Sequence, residues 1–412
     1  MNNGRGRGST PAGRALMSSV LVAVIGLSGC AGSDAQVVRA TDSSAIPPAA
    51  GSIAAGSNTA GSTTAGSSTD NADEVARQVT EYLDAQGSYF NPVQSVLADV
   101  DGRELVAYYG PDSGPDVAHN VYSVTKSVIS MLVGIAVGEG LIGSVDQTVA
   151  ELLPAHGLTM APGVGAVTLG QLLTMTGGIT DEAVLDVDPN GIDESSPRYT
   201  ADADWIAVTL ATPLAQPAGA GFLYSNLGSH LLSAILVQAT GRPVLEYARE
   251  KLFHPLGVST EPADQPTYPS VNLREYDSRP AFGWSTDPQG LNLGASDLKL
   301  TAPDMIKLGR LYLQEGQWEG RQLVPEEWVR ESTSTQVANE EQAIYGYPYG
   351  YLWWLPSTDD HPGFAALGWA GQLIQVIPDL NLVVAVSTTN GPAGYSDPSA
   401  LVDLIVPIIA GE

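Results

Sequence analysis

From Asp73 to Ala85 apolar residues recur at helical spacing, with Val75, Val79, Tyr82 and Leu83 on one side. The period then changes. Val96-Leu97-Ala98-Asp99-Val100 and Leu105-Val106-Ala107-Tyr108-Tyr109 flank Asp101-Gly102, which predicts a hairpin over residues 95–109. An apolar helix follows Ser123 and stops at Gly138-Glu139-Gly140. Thr168 is placed to cap a short helix that the pair Gly177-Gly178 should end. Further helices are predicted from Leu231 to Ala239, closing at Gly241, from Leu245 to Phe253, and after Pro303. Residues 258–280 read as Pro-rich and irregular. Leu373–Ile377 and Leu382–Val386 read as a second, buried hairpin around Pro378-Asp379-Leu380-Asn381, and residues 397–410 as a last helix.

Strands therefore sit at both ends of this part and helices fill its middle. The expected class is α/β in the α+β sense: one antiparallel sheet built from distant segments, flanked by terminal helices, with an inserted helical domain. The globular domain should span residues 73–412, with sheet regions at about 73–118 and 282–412 and a helical region at about 119–281.

The chemistry gathers at Ser123-Val124-Thr125-Lys126. Residues three apart share a helical face, so these two side chains can touch. A lysine among apolar residues is pushed towards its neutral form, and a neutral amine beside a hydroxyl is a base beside a nucleophile. A serine at a helix start is also an ordinary N-cap, which is the competing reading of Ser123.

Charge and composition narrow the rest. The formal net charge is −27, and the first 29 residues hold three arginines and no acid, leaving −30 beyond them. So acidic a surface opposes binding to nucleic acid. With Cys30 as the only cysteine, no intramolecular disulfide or cysteine cluster forms, and no metal or other cofactor is implied. The five histidines are scattered and read as structural or surface groups, and there is no Gly-x-Ser-x-Gly elbow. Residues 181–204 form an acidic loop. Within it Asp186-x-Asp188-x-Asn190-Gly191 imitates a calcium loop, but Pro197 stands where a bidentate Glu is needed, so the segment reads as solvated.

At the N-terminus Arg5, Arg7 and Arg14 precede a short apolar run from Ala15 to Leu27, too brief and interrupted to span a membrane comfortably. It ends in Leu27-Ser28-Gly29-Cys30, which resembles the lipobox of bacterial lipoproteins. That resemblance implies a signal peptide over residues 1–29, acylation of Cys30, and an extracytoplasmic enzyme lipid-anchored to the bacterial cell membrane. Residues 30–72, rich in Gly, Ser, Ala and Thr, would be a flexible tether.

Ser123-Val124-Thr125-Lys126 matches the S-x-x-K signature of penicillin-recognising serine enzymes, and Tyr224-Ser225-Asn226 resembles the Y-x-N motif of their class C β-lactamase branch. The resemblance covers about residues 80–410. It implies a β-lactamase/transpeptidase-like fold and an acyl-enzyme on Ser123, with Lys126, Tyr224 or both taking its proton. Asn226 would position a substrate amide or bind Lys126. A second S-x-x-K copy, Ser296-Asp297-Leu298-Lys299, reads as chance.

Where β-lactamases of this branch carry K-T-G, the chain has Trp369-Ala370-Gly371. This is similar to the W-x-G variant of esterases with the same fold, while Gly371-Gln372 resembles the 6-aminohexanoate hydrolase branch. The Gln372 N–H would join that of Ser123 as an oxyanion hole. Trp369 in place of a lysine removes the partner of an anionic substrate, unless Arg274 or Arg279 restores a cation. The expected substrate is a small ester or amide, with cell-wall peptides or β-lactams as the alternative, and a catalytically silent surface binding module as a further one. Phe364, Trp284, Trp353 and Trp354 could line the pocket but read more readily as core.

Overall fold

The computed structural model describes residues 36–38, 68–86, 93–154, 159–181, 204–268, 273–338, 346–358, 360–389 and 398–411. In chain order the strands are β1 (Gln36–Val38), β2 (Val93–Val100), β3 (Arg103–Tyr109), β4 (His119–Asn120), β5 (Gly283–Trp284), β6 (Leu298–Leu300), β7 (Gln317–Trp318), β8 (Arg321–Gln322), β9 (Ser357–Thr358), β10 (His361–Pro362), β11 (Phe364–Gly368), β12 (Gln372–Ile377) and β13 (Leu382–Thr388). The helices are α1 (Ser68–Gln86), α2 (Val124–Gly138), α3 (Val149–Leu152), α4 (Leu169–Leu173), α5 (Trp205–Ala211), α6 (Asn226–Thr240), α7 (Val244–Ala248), α8 (Leu273–Ser278), α9 (Ala302–Leu313), α10 (Glu326–Ser332) and α11 (Ser399–Ala410).

The main sheet is antiparallel in the order β1-β3-β2-β13-β12-β11. Both expected hairpins form. Asp101 and Gly102 turn the first at φ 53 and 78, the left-handed pair that a tight hairpin turn requires. Distant segments of the chain meet where β13 pairs with β2, Leu382 opposite Val100 and Val386 opposite Val96.

Alternation along these strands sends side chains to two covered faces. Val96, Ala98, Val384 and Val386 face α1 and α11, where Val75, Val79, Leu401, Val402, Ile405 and Val406 are buried. Leu97, Ala107, Ile374, Val383 and Ala385 share the other core with α2 and α9. A smaller sheet, β4-β6-β5, ties the chain entering α2 to residues 283–300.

Local chemistry moves several expected boundaries. Thr168 and Gln171 form the capping box of α4, but the helix ends at Leu173, where Thr174 and a positive φ at Met175 stop it before Gly177-Gly178. Helix α6 starts at Asn226, five residues ahead of its apolar run, because the Ser225 hydroxyl caps it by accepting from Gly228 N–H. Helix α7 continues through a wider turn, Arg249–Phe253, and α8 occupies part of the segment expected to be irregular. Residues 1–35, with Cys30 and its apolar run, and the calcium-like Asp186–Gly191 lie outside the described residues. Within the stretch read as a tether, Gln36–Val38 pairs with β3 and α1 begins at Ser68. No helix among the described residues is long and apolar enough to cross a membrane.

Candidate active site

Three pieces of chain converge at Ser123: the turn into α2, the turn into α6, and the end of β11. The first is pinned by β6, whose Leu298 carbonyl accepts from Val121 N–H at 2.9 Å. Tyr122 then takes φ 46, and Ser123 occupies the N-cap position of α2 at φ −69, ψ −7. Its side chain makes no capping hydrogen bond. The simple N-cap reading of Ser123 is therefore not what the geometry gives.

Helix α2 is buried from Val124 to Ala136, so Lys126 enters the core with it and is 1 % exposed. Its Nζ lies 3.0 Å from Ser123 Oγ, 2.8 Å from Asn226 Oδ1 and 2.7 Å from the Ala295 carbonyl. Desolvation pulls the Lys126 ammonium down to about 7, against the opposing field of Asp181 and Asp297.

Tyr224 sits beside this amine, with Nζ 4.9 Å from its ring centroid. The ring stacks on Trp354 at 6.2 Å and 17°. Burial pushes the Tyr224 phenol up; the Ser123 hydroxyl pulls it down more weakly, and Asp181 adds to the rise.

The turn carrying Tyr224 and Asn226 is fixed by a residue the sequence did not single out. Asp181 accepts from Asn226 N–H at 2.7 Å, Leu227 N–H at 3.0 Å and the Ser225 hydroxyl at 3.1 Å. A carboxylate at the first turn of α6 gathers otherwise unpaired N–H groups and meets the positive end of the helix dipole. The sequence pattern places Asp181 in a solvated loop; its carboxylate is instead taken up by the start of α6. No short motif marks it, because its partners lie some 45 positions away.

At the third piece, Gly368 lies so close to the Val121 carbonyl that a Cβ there would collide with it. This sets the end of β11 against the turn into α2. Trp369–Gly371 follows as a tight turn with Ala370 at φ 66, and Trp369 is half-buried. The Gln372 side chain points elsewhere: its amide donates to the Thr388 carbonyl at 2.8 Å and accepts from Thr388 N–H at 3.3 Å. Only its main chain remains for a substrate.

The other candidates separate cleanly. Trp284, Trp353 and Phe364 are core residues, and Trp354, also buried, backs the Tyr224 ring. Lys299 lies on a strand and not a helix, so the S-x-x-K spacing does not bring it to Ser296; it donates instead to the Tyr276 and Arg279 carbonyls. The Arg279 guanidinium is engaged by Asp264 and Glu275, and the Arg274 side chain lies outside the described residues. Among the described residues no cluster of His, Asp, Glu or Cys is placed to hold a metal.

The sequence and the fold have known counterparts. The beta-lactamase family profile matches residues 76–405. The chain belongs to the beta-lactamase family. Penicillin-binding protein 4 of Amycolatopsis lactamdurans is 26% identical over 66% of this chain and 72% of its own length. The 6-aminohexanoate-dimer hydrolase of Paenarthrobacter ureafaciens is 24% identical over 69% of each chain. Among solved structures, EstCE1, a hydrolase with promiscuous acyltransferase activity, superposes with a TM-score of 0.62 at 16% identity, over 82% of this chain and 99% of its own. The beta-lactamase family assignment makes this chain a β-lactamase-fold hydrolase for which acyl transfer through a serine is the consistent chemistry.

Proposed function

We propose that the protein hydrolyses esters or small amides through an acyl-enzyme on Ser123, with Lys126 as the general base. One observation carries the assignment. Asn226 Oδ1 and the Ala295 carbonyl can only accept, and a neutral Lys126 amine has two N–H groups to give them. Its lone pair is then left for the third neighbour, the Ser123 hydroxyl at 3.0 Å. Burial makes this neutral form accessible near pH 7.

In this reading Ser123 Oγ bonds to the substrate carbonyl carbon and its proton passes to Lys126. The tetrahedral intermediate collapses by breaking the bond to the alcohol or amine, which departs with a proton. Water then attacks the acyl carbon, its proton passing to the group that protonated the departing alcohol or amine; the Ser123–acyl bond breaks and Lys126 returns a proton to the serine. The N–H groups of Ser123 and Gln372 are assigned to the developing oxyanion.

Trp369 favours a neutral acyl group over a β-lactam or peptide carboxylate, and Arg279 supplies no free cation. The intact Ser123–Lys126 contact argues against a silent binding module. Intact-mass measurement after mixing with p-nitrophenyl butyrate or benzylpenicillin tests this preference. A transient butyryl adduct on Ser123, with no penicilloyl adduct at millimolar drug, is the expected result. A long-lived penicilloyl adduct would reverse the ranking.

The lipobox-like Leu27-Ser28-Gly29-Cys30 supports an enzyme held outside the cytoplasm by lipid on Cys30. Two acyl chains anchor firmly, at about 0.8 kcal/mol per buried CH₂. The full chain expressed in a bacterial host should partition with membranes, and Cys30→Ser should release it. Equal partitioning of both would exclude the anchor.

A further inference from the structure

We infer that Tyr122 and Asp277 form a clamp that sets the position of the nucleophile. The inference rests on Ser123 being that nucleophile. Tyr122 stands immediately before it with φ 46, a conformation that side chains bearing a Cβ rarely hold without outside support. Here the support comes at both ends of the residue. The Tyr122 hydroxyl donates to Asp277 Oδ2 at 3.0 Å, and the Tyr122 N–H donates to Asn120 Oδ1 at 2.9 Å. Asn120 Nδ2 donates in turn to Asp277 Oδ1 at 3.0 Å, closing a ring of three residues around the turn into α2.

That ring is itself braced. Asn120 is 4 % exposed and its amide also reaches Asp297 Oδ1 at 3.4 Å. Asp277 belongs to α8, whose Tyr276 carbonyl, with that of Arg279 just beyond the helix, accepts from the buried Lys299. The Tyr276 hydroxyl returns to the Asp297 carbonyl at 2.6 Å. The residues of the second S-x-x-K copy, Asp297 and Lys299, thus hold α8 against the turn that carries Ser123. Burial pushes the Asp277 carboxyl up, while the Asn120 and Tyr122 donors pull it back.

Tyr122 and Asp277 are positioning residues in this scheme: they place Ser123 Oγ relative to Lys126 and take no proton themselves. Small displacements of a reacting group cost large factors in rate, so the clamp should appear in kcat and not in KM. The experiment compares p-nitrophenyl butyrate kinetics and thermal unfolding for Tyr122→Phe, Asp277→Asn and the double variant. Each single change should lower kcat by about ten- to a hundredfold, with KM within about twofold and the pH midpoint of kcat/KM unmoved. The double variant should lose no more than the worse single, since both remove one clamp. Singles with kcat within about twofold of the parent would overturn the inference, whatever their melting temperatures, and so would a double-variant loss equal to the product of the single losses. If the double variant does not fold, the singles decide. Absence of a butyryl adduct on Ser123 in the parent would instead refute the nucleophile itself.

Discussion

Lys126→Met should lower kcat/KM for p-nitrophenyl butyrate by about a thousandfold, the middle of the range for a positioned general base. Methionine keeps the length and apolar stem of the lysine in a site that is already buried, so the loss isolates the amine. The parent enzyme carries a matching signature. Because Lys126 titrates at about 7 and must be neutral to accept a proton, kcat/KM should rise about tenfold per pH unit below 7 and flatten above it. A midpoint near 10 would point to an unperturbed lysine and overturn the assignment.

The same group couples activity to stability. Its folded pKa is depressed from 10.5 to about 7, so between those values the unfolded chain binds the extra proton and stability rises with pH. Each unit of pKa is worth about 1.4 kcal/mol. Between pH 9 and pH 7 the parent should lose about 2 kcal/mol through Lys126 alone. Lys126→Met has no such titration, so denaturant unfolding should show its stability gaining on the parent by that amount over the same interval. A constant difference between the two would mean that Lys126 is solvated or paired in the folded protein.

How much of this was legible in the chain depended on whether the information was local. The two hairpins, the cap at Thr168 and helix α2 are each written within one short stretch of chain, and they form where expected. Ser123 and Lys126 were legible for the same reason, since an (i, i+3) pair on a helix needs no knowledge of the rest of the fold. Tyr224 and Asn226 came only from a motif about a hundred residues away. The groups that tune and hold them were not legible. Asp181, Asp277 and the Ala295 carbonyl reach the site only through tertiary packing, and acidic side chains ordinarily face water. Gln372 shows the converse: its sequence position fits the site, but pairing with Thr388 takes its side chain into the sheet.

Tyr224→Phe should have an effect that depends on the leaving group. Burial holds the Tyr224 phenol protonated at neutral pH, which suits a proton donor better than a base. The departing alkoxide of an alkyl ester, or the amine of an amide, needs that proton. p-Nitrophenolate leaves as an anion and does not. Phenylalanine preserves the stacking on Trp354, so the ring stays in place while the hydroxyl is lost. The variant should therefore lose about a hundred- to a thousandfold in kcat/KM on ethyl butyrate or butyramide, within the range for general acid catalysis, and under about tenfold on p-nitrophenyl butyrate. A base at Tyr224 would act on Ser123 before any bond to the leaving group weakens, and its removal would slow all three substrates alike. Equal losses across that series would move the base from Lys126 to Tyr224. Unequal losses would divide the two roles: Lys126 takes the proton from Ser123, and Tyr224 delivers one to the group that departs.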